Sequence, residues 1–201
     1  MNEGLLLIIS GPSGSGKDTL IDKLRADNKY AISISMTTRE QRGNEVDGVD
    51  YIFCDEEEFK RVRDEGGLLE HATFVGHYYG TPASYVYGKM NEGKTVLLEI
   101  DVVGALQVQE KFPEAILIFI IPPTFEELRS RLISRGREGI DEINRRTKRA
   151  LEEVDMLYKY NYLVINDDLE HAVKEINLIV DAENLKPKRS KKKVDDFKKS
   201  I

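Results

Sequence analysis

Cysteine is almost missing from this chain: Cys54 is the one thiol in 201 residues. A single thiol cannot close an internal disulfide, which argues against a disulfide-stapled secreted scaffold and leaves Cys54 as either a reactive thiol or a half-buried filler. Long apolar runs are also lacking. None approaches the roughly 20 residues that a membrane-crossing helix needs. The stretch "LLLII" at 5–9 is too short for a signal-peptide core and has no basic region before it. No prenylation box ends the chain, and neither internal repeats nor low-complexity tracts occur before residue 186. The expectation is a cytoplasmic protein with no membrane partner. Its length allows one good core and a small inserted subdomain, and its 40% apolar content is ordinary for such a domain.

A net positive balance is lacking except at one end. Residues 186–201 hold eight Lys or Arg against two Asp, a formal +6, so residues 1–185 carry −12 of the overall −6. An acidic body does not suit a general nucleic-acid binder. The basic end reads as a disordered, solvated tail, with a weak contact to RNA, lipid or a partner as the alternative.

Five short apolar runs read as buried strands: 5–9, 31–35, 95–100, 116–121 and 162–165. Helical patterns separate most of them, which argues for a parallel sheet covered on both faces. "ILIFII" at 116–121 lacks polar alternation, as a strand buried on both sides should. After it, Thr124 and Glu127 form a capping box and Leu128 and Leu132 share a helix face. A last helix carries Leu169, Val173, Ile176 and Val180 along one side. The segment 36–92 interrupts the alternation and reads as an α+β insertion, with a helix begun by Asp55 and Glu58 and a strand at 68–75.

Chemistry enters directly behind the first strand, in "SGPSGSGKDTL" at 10–20. Gly11, Gly16 and Lys17 fit the phosphate-loop pattern G-x-x-x-x-G-K, and the order strand, loop, helix is what the mechanism requires. Gly11, Gly14 and Gly16 allow backbone turns that aim N–H groups at an anion on a helix N-terminus, and Lys17 adds a charge for the outer phosphates. Asp18 stands where a hydroxyl belongs. A carboxylate there can ligate Mg²⁺ directly or through water, or it can merely decorate the first helical turn. Thr19 follows with a hydroxyl for phosphate.

"EID" at 99–101 ends the third strand, where an acidic residue would hold a metal or its waters across from the loop. "DVVG" at 101–104 also matches the D-x-x-G of GTPases, but the N-K-x-D stretch with which those proteins read guanine is absent. An arginine-rich region spans 129–149. Arg129 and Arg149 read as a solvated helix face, whereas Gly136 and Gly139 make Arg135 to Arg146 a hinged basic flap. A placed arginine supplies about 10³ to 10⁵ in phosphoryl-transfer rate, and closure keeps water from the phosphate.

These stretches, with "SISMTTREQRGNEVDGVDY", "GLLEHATFVGHYYGT", "LLEIDVVGA", "FIIPP", "RLISRGRE" and "VINDDLE" in order, give a chain that resembles the guanylate kinases over about residues 4–184. The resemblance implies an α/β P-loop kinase fold with a five-stranded parallel core sheet of order 2-3-1-4-5. It divides the chain into a core (1–35 and 93–185), a GMP-binding insertion (36–92), a lid near 125–150 and the tail 186–201. It implies transfer of the γ-phosphate of ATP to GMP in purine nucleotide metabolism, with Mg²⁺, and the small-molecule substrates ATP and GMP as partners. ATP-side positions are Gly11, Pro12, Ser13, Gly14, Ser15, Gly16, Lys17, Asp18, Thr19 and Asn166. GMP-side positions are Ser35, Arg39, Arg42, Tyr51, Glu70, Tyr79, Thr81 and Asp101. Lys17, Arg131, Arg135 and Arg146 would be catalytic, and Asp18 with Glu99 would face the metal. Glu70 makes chemical sense as the base reader, because one carboxylate accepts from both N1–H and N2–H₂ of guanine while adenine offers neither. Thr81 and Asp18 each replace a Ser usual in the family. A catalytically silent scaffold module would tend to erode the loop and lid, and a phosphotransferase with another acceptor should lose Glu70, Tyr51 and Tyr79; all are present.

Overall fold

The computed structural model describes residues 4–134 and 139–200. Its centre is strand β1 (Leu6–Ser10), every residue of which is buried. Alternate side chains on a strand leave by opposite faces. Leu7 and Ile9 therefore join one apolar cluster with Leu20 and Leu24, while Leu6 and Ile8 join another with Val86 and Val108. The unbroken apolar run of the sequence is the signature of this two-sided burial. Around β1 the sheet is parallel throughout, with β2 (Tyr30–Ile32), β7 (Thr95–Glu99), β8 (Ile116–Ile121) and β9 (Tyr162–Ile165) in the order β2-β7-β1-β8-β9. Numbered as five core strands, that is the expected 2-3-1-4-5. The second strand is shorter than the run 31–35 suggested, because the chain leaves the sheet after Ile32 to enter a second sheet at Met36.

Helix α1 (Lys17–Arg25) and helix α7 (Leu169–Asn184) cover one face of the core sheet. Helices α3 (Ala83–Asn91) and α4 (Val102–Lys111) cover the other. The remaining strands, β3 (Met36–Thr37), β4 (Ile52–Phe53), β5 (Leu68–Phe74) and β6 (His77–Pro82), form a four-stranded sheet of order β4-β3-β6-β5. Helix α2 (Glu56–Asp64) packs Phe59 against Met36 and Leu68 to give this sheet its own small core. Asp55 starts α2 by accepting the Glu58 N–H at 2.8 Å. Within the expected insertion 36–92, α3 packs Val86 and Met90 into the core cluster and so roots the second sheet on the first.

Helix α5 (Phe125–Ser134) follows β8, with Thr124 accepting the Glu127 N–H at 3.1 Å and Leu128 and Leu132 buried. Helix α6 (Ile140–Val154) follows it. The expected flap arginine Arg135 lies outside the described residues, whereas Arg131 and Arg146 lie within them.

The tail departs from its expected disorder. Pro187–Arg189 form a 3₁₀ turn, and Lys191–Lys199 form helix α8. Arg189 donates to the Glu114 carbonyl at 2.9 Å and pairs with the buried Glu183 carboxylate, which also receives the Tyr162 hydroxyl and the Lys186 ammonium. A buried carboxylate needs such partners, and the start of the tail supplies two of them. Among the described residues, no helix is long and apolar enough to cross a membrane.

Candidate active site

The C-terminal edge of the parallel strands opens onto a cavity of about 880 Å³. Ligands in open α/β sheets bind at this edge. The phosphate loop forms one wall. Gly11 has φ +145°, and a Cβ there would lie 2.1 Å from the Ile120 carbonyl oxygen; only glycine fits so close to β8. Gly16 has φ +87° immediately before α1, and a Cβ there would strike the Asn166 amide at 2.4 Å. The glycines are thus required both by backbone conformation and by contact.

Lys17 folds over this loop and donates from Nζ to the Gly11 and Pro12 carbonyls at 2.7 and 3.2 Å. Asn166 lies underneath, where it is buried and gives its Nδ2 to the Ser15 carbonyl at 2.8 Å. Its amide is engaged by the loop backbone. Arg131 in turn reaches the Asn166 carbonyl at 3.2 Å while held by Glu127 at 2.8 Å. Both residues therefore sit against the loop. The Ser15 hydroxyl is buried with no hydrogen-bond partner among the described residues. Helix α6 closes onto the loop's outer side, where Arg146 donates to Ser13 Oγ at 3.1 Å.

Asp18 and Glu99 face each other across the floor. The protein around Glu99, and next to that the Asp18 charge, push its carboxyl up to about 7, although the side chain still reaches water in the open cleft. Lys17 pulls the other way. Two like charges about 4 Å apart repel by roughly 4 kcal/mol at an effective dielectric of 20. Such a pair favours a shared proton or a cation.

In the second sheet, Glu70 on β5 is buried and accepts the Thr81 hydroxyl at 2.6 Å. Burial pushes its carboxyl up, and the Thr81 bond opposes that rise. Gly104 makes room for it, since a Cβ there would come 3.1 Å from Glu70 Oε2. The D-x-x-G stretch has a local explanation here. Asp101 Oδ1 accepts the Gly104 N–H at 2.9 Å and caps α4.

Further along the second sheet, Arg39 is buried, forked onto Glu45 at 2.8 and 2.9 Å, and lies 5.2 Å from the centre of the Tyr51 ring. Tyr79 meets Tyr51 edge to face at 6.2 Å. Arg42 is exposed and contributes its backbone N–H to Glu45. Ser35 enters the sheet bonding through its carbonyl, which accepts from Ile52.

Two residues have roles that the sequence did not reveal. Glu45 holds Arg39 in place. Arg149, read as solvated helix surface, lines the cleft and spans from Glu153 at 2.9 Å to Asp101 at 3.5 Å.

The loop and the acidic pair stand on one cleft, with Glu70 buried beside Gly104 next to the cleft-lining Asp101, and the guanylate kinase family profile matches residues 3–183 of the 201. The chain belongs to the guanylate kinase family. A guanylate kinase of Caldanaerobacter subterraneus subsp. tengcongensis is 51% identical over 94% of this chain and 92% of its own length. One from Oceanobacillus iheyensis is 47% identical over 93% and 91%. The crystal structure of the Anaplasma phagocytophilum guanylate kinase superposes with a TM-score of 0.72 at 34% identity, covering 94% of this chain and 90% of that one. The fold is therefore the P-loop kinase fold of guanylate kinases, and the chain is an enzyme, a nucleoside monophosphate kinase. The loop and α6 build one wall of the cleft, and Tyr51, Phe74 and Val75 of the insertion line another.

Proposed function

We propose that the guanylate kinase reaction of this chain, ATP and GMP to ADP and GDP, takes place in this cleft, with each wall holding one nucleotide. On the donor wall, backbone N–H groups of Gly11 to Lys17, with the hydroxyls of Ser13, Ser15 and Thr19, receive the ATP phosphates. Lys17 and Arg146 offset the charge that develops during transfer. Arg131, against the same loop, adds a further catalytic cation, and Asn166 contacts the ATP side. On the acceptor wall Arg39, Arg42, Tyr51 and Tyr79 hold the GMP phosphate, Glu70 and Thr81 meet the guanine edge, and Ser35 and Asp101 complete the pocket of the insertion 36–92. Arg suits the phosphate because its planar fork matches two phosphate oxygens at once.

The observation that carries this reading is the buried Glu70 carboxylate, oriented by Thr81 at 2.6 Å and lying beside Gly104, next to Asp101 in the lining of the cleft that holds the phosphate loop. The test is an acceptor screen of GMP, dGMP, AMP, UMP and CMP with ATP. Phosphorylation of GMP, with AMP, UMP and CMP left unreacted, is expected. Equal use of AMP would defeat the role given to Glu70.

Asp18 and Glu99 fit Mg²⁺, since Glu99 is raised first by burial and then by the Asp18 charge, both of which a hard cation beside the two carboxylates would offset, and Mg²⁺ is commonly held by one or two carboxylates plus substrate phosphates. When bound, Mg²⁺ would supply neutralisation of phosphate charge. Asp18→Ser removes one carboxylate and restores a hydroxyl. The expected result is a rise in the Mg²⁺ concentration giving half-maximal rate by a factor on the order of ten, one such step per 1.4 kcal/mol of lost attraction. An unchanged Mg²⁺ titration would leave Asp18 as an ornament of the α1 dipole. Stability supplies an independent reading. A carboxyl raised in the folded state favours folding when protonated, so the Glu99 penalty grows as pH rises through about 7. Asp18→Ser should lessen that penalty on the alkaline side.

A further inference from the structure

The hairpin joining β5 to β6 turns through two residues, since Phe74 pairs with His77. Both turn residues have positive φ, Val75 at +48° and Gly76 at +80°. Two-residue hairpins favour this geometry, and Asn-Gly or Asp-Gly is the sequence that adopts it without strain. Valine is a poor choice, because a β-branched side chain at positive φ crowds its own backbone. Val75 is the one non-glycine residue at positive φ among the described residues. Its side chain is 79% exposed and that of Phe74 is 58% exposed, so in this conformation packing compensates for neither the strain nor the apolar surface. Backbone strain concentrates at switch and clamp sites, where another arrangement offsets it.

The position of the tip indicates what that arrangement is. Phe74 and Val75 line the same 880 Å³ cleft as the phosphate loop, on the acceptor side, and Arg145, Arg149 and Ala150 of α6 line it on the donor side. The partner surface is complementary. Guanidinium groups stack on aromatic faces, and arginine stems offer apolar length to a valine.

We infer that Phe74 and Val75 are a closing contact of the transfer cleft, seating on the α6 face that carries Arg145 and Arg149 when both nucleotides are bound. This rests on the two-wall reading given above. In that closed state the tip excludes water from the phosphoryl group, and the valine's contacts with α6 compensate for the backbone that presents it. The two residues position the walls and do not touch the reacting atoms.

Val75→Asn separates this role from simple turn formation. Asparagine relieves the turn, so the melting midpoint should rise by about 2–4 °C. At the same time kcat/KM for GMP should fall about tenfold, the equivalent of one lost contact. ADP formed per GDP should also climb above one as water competes for the phosphoryl group. A stabilised variant with unchanged kcat/KM and a ratio of one overturns the inference, and so does a variant with no gain in midpoint. A second measurement does not depend on turnover. Val75→Cys combined with Arg145→Cys, treated with a short bis-maleimide, should crosslink faster with GMP and a non-hydrolysable ATP analogue than without nucleotides. Equal rates would also overturn it. Wild-type protein that makes no GDP from GMP would defeat the reaction assignment instead, and the crosslinking rates would still report on the tip.

Discussion

Glu70→Gln is expected to lower kcat/KM for GMP by about 10²- to 10³-fold, since two hydrogen bonds to a charged acceptor are worth roughly 1.5–3 kcal/mol each and the amide oxygen keeps part of one. The amide nitrogen would also present a donor where guanine presents donors. The loss should fall on GMP alone, so the preference over AMP should shrink by a similar factor. A competition assay with both acceptors measures this directly, and a variant that kept its full preference would show that another group reads the base. Wild-type pH dependence gives a second view of the same residue. Burial raises the Glu70 carboxyl, so it takes up a proton earlier than an exposed glutamate as pH falls. KM for GMP should therefore rise on the acid side in the wild type and stay flat in the variant. The fold should not suffer. A carboxyl raised in the folded state reduces stability when ionised, so the variant should be at least as stable as the wild type at neutral pH, with the difference closing as pH falls. Thermal melts at two pH values would distinguish lost recognition from lost structure.

Lys17→Met is the second large expectation. Methionine keeps approximate length and apolar stem but removes the ammonium that spans Gly11 and Pro12. Removing one preorganised charge or donor at a developing anion typically costs about 10²–10³ in kcat, and a similar fall is expected here. GMP binding measured by calorimetry without ATP should be unaffected, because Lys17 belongs to the donor wall. Unchanged turnover would take Lys17 out of the chemistry. A fall confined to KM for ATP would make it a uniform binding group, engaged as strongly with substrate as with the transition state.

Much of this architecture was legible before any coordinates. The buried strand β8 announced itself through an apolar run without alternation; β9 lies where its run lies but at the sheet edge, with Leu163 and Ile165 exposed rather than buried. Asp55 and Thr124 cap the helices that their spacing to Glu58 and Glu127 suggested. The phosphate loop was visible because glycine positions and strand–helix context are both local. What stayed hidden was non-local. Strands of two residues, β3 and β4, are too short to carry a period. Arg149 looked like any solvated helix arginine until α6 was placed beside Asp101. Glu45 is one acid among several in a turn-rich stretch, and only the fold brings it against Arg39. The docking of Arg189 on Glu183 was masked by the charge density around it, which reads as solvated chain.

The Arg39–Glu45 pair also bears on how an acceptor is taken up. On the proposed reading the guanidinium meets an incoming phosphate while already neutralised, so arrival of GMP is a trade of one anion for another rather than the capture of an anion by a bare cation. Only the difference between the two partners is gained. Such a site remains ordered between turnovers and has limited hold on what it has bound, a useful property when the product is more highly charged than the molecule that entered.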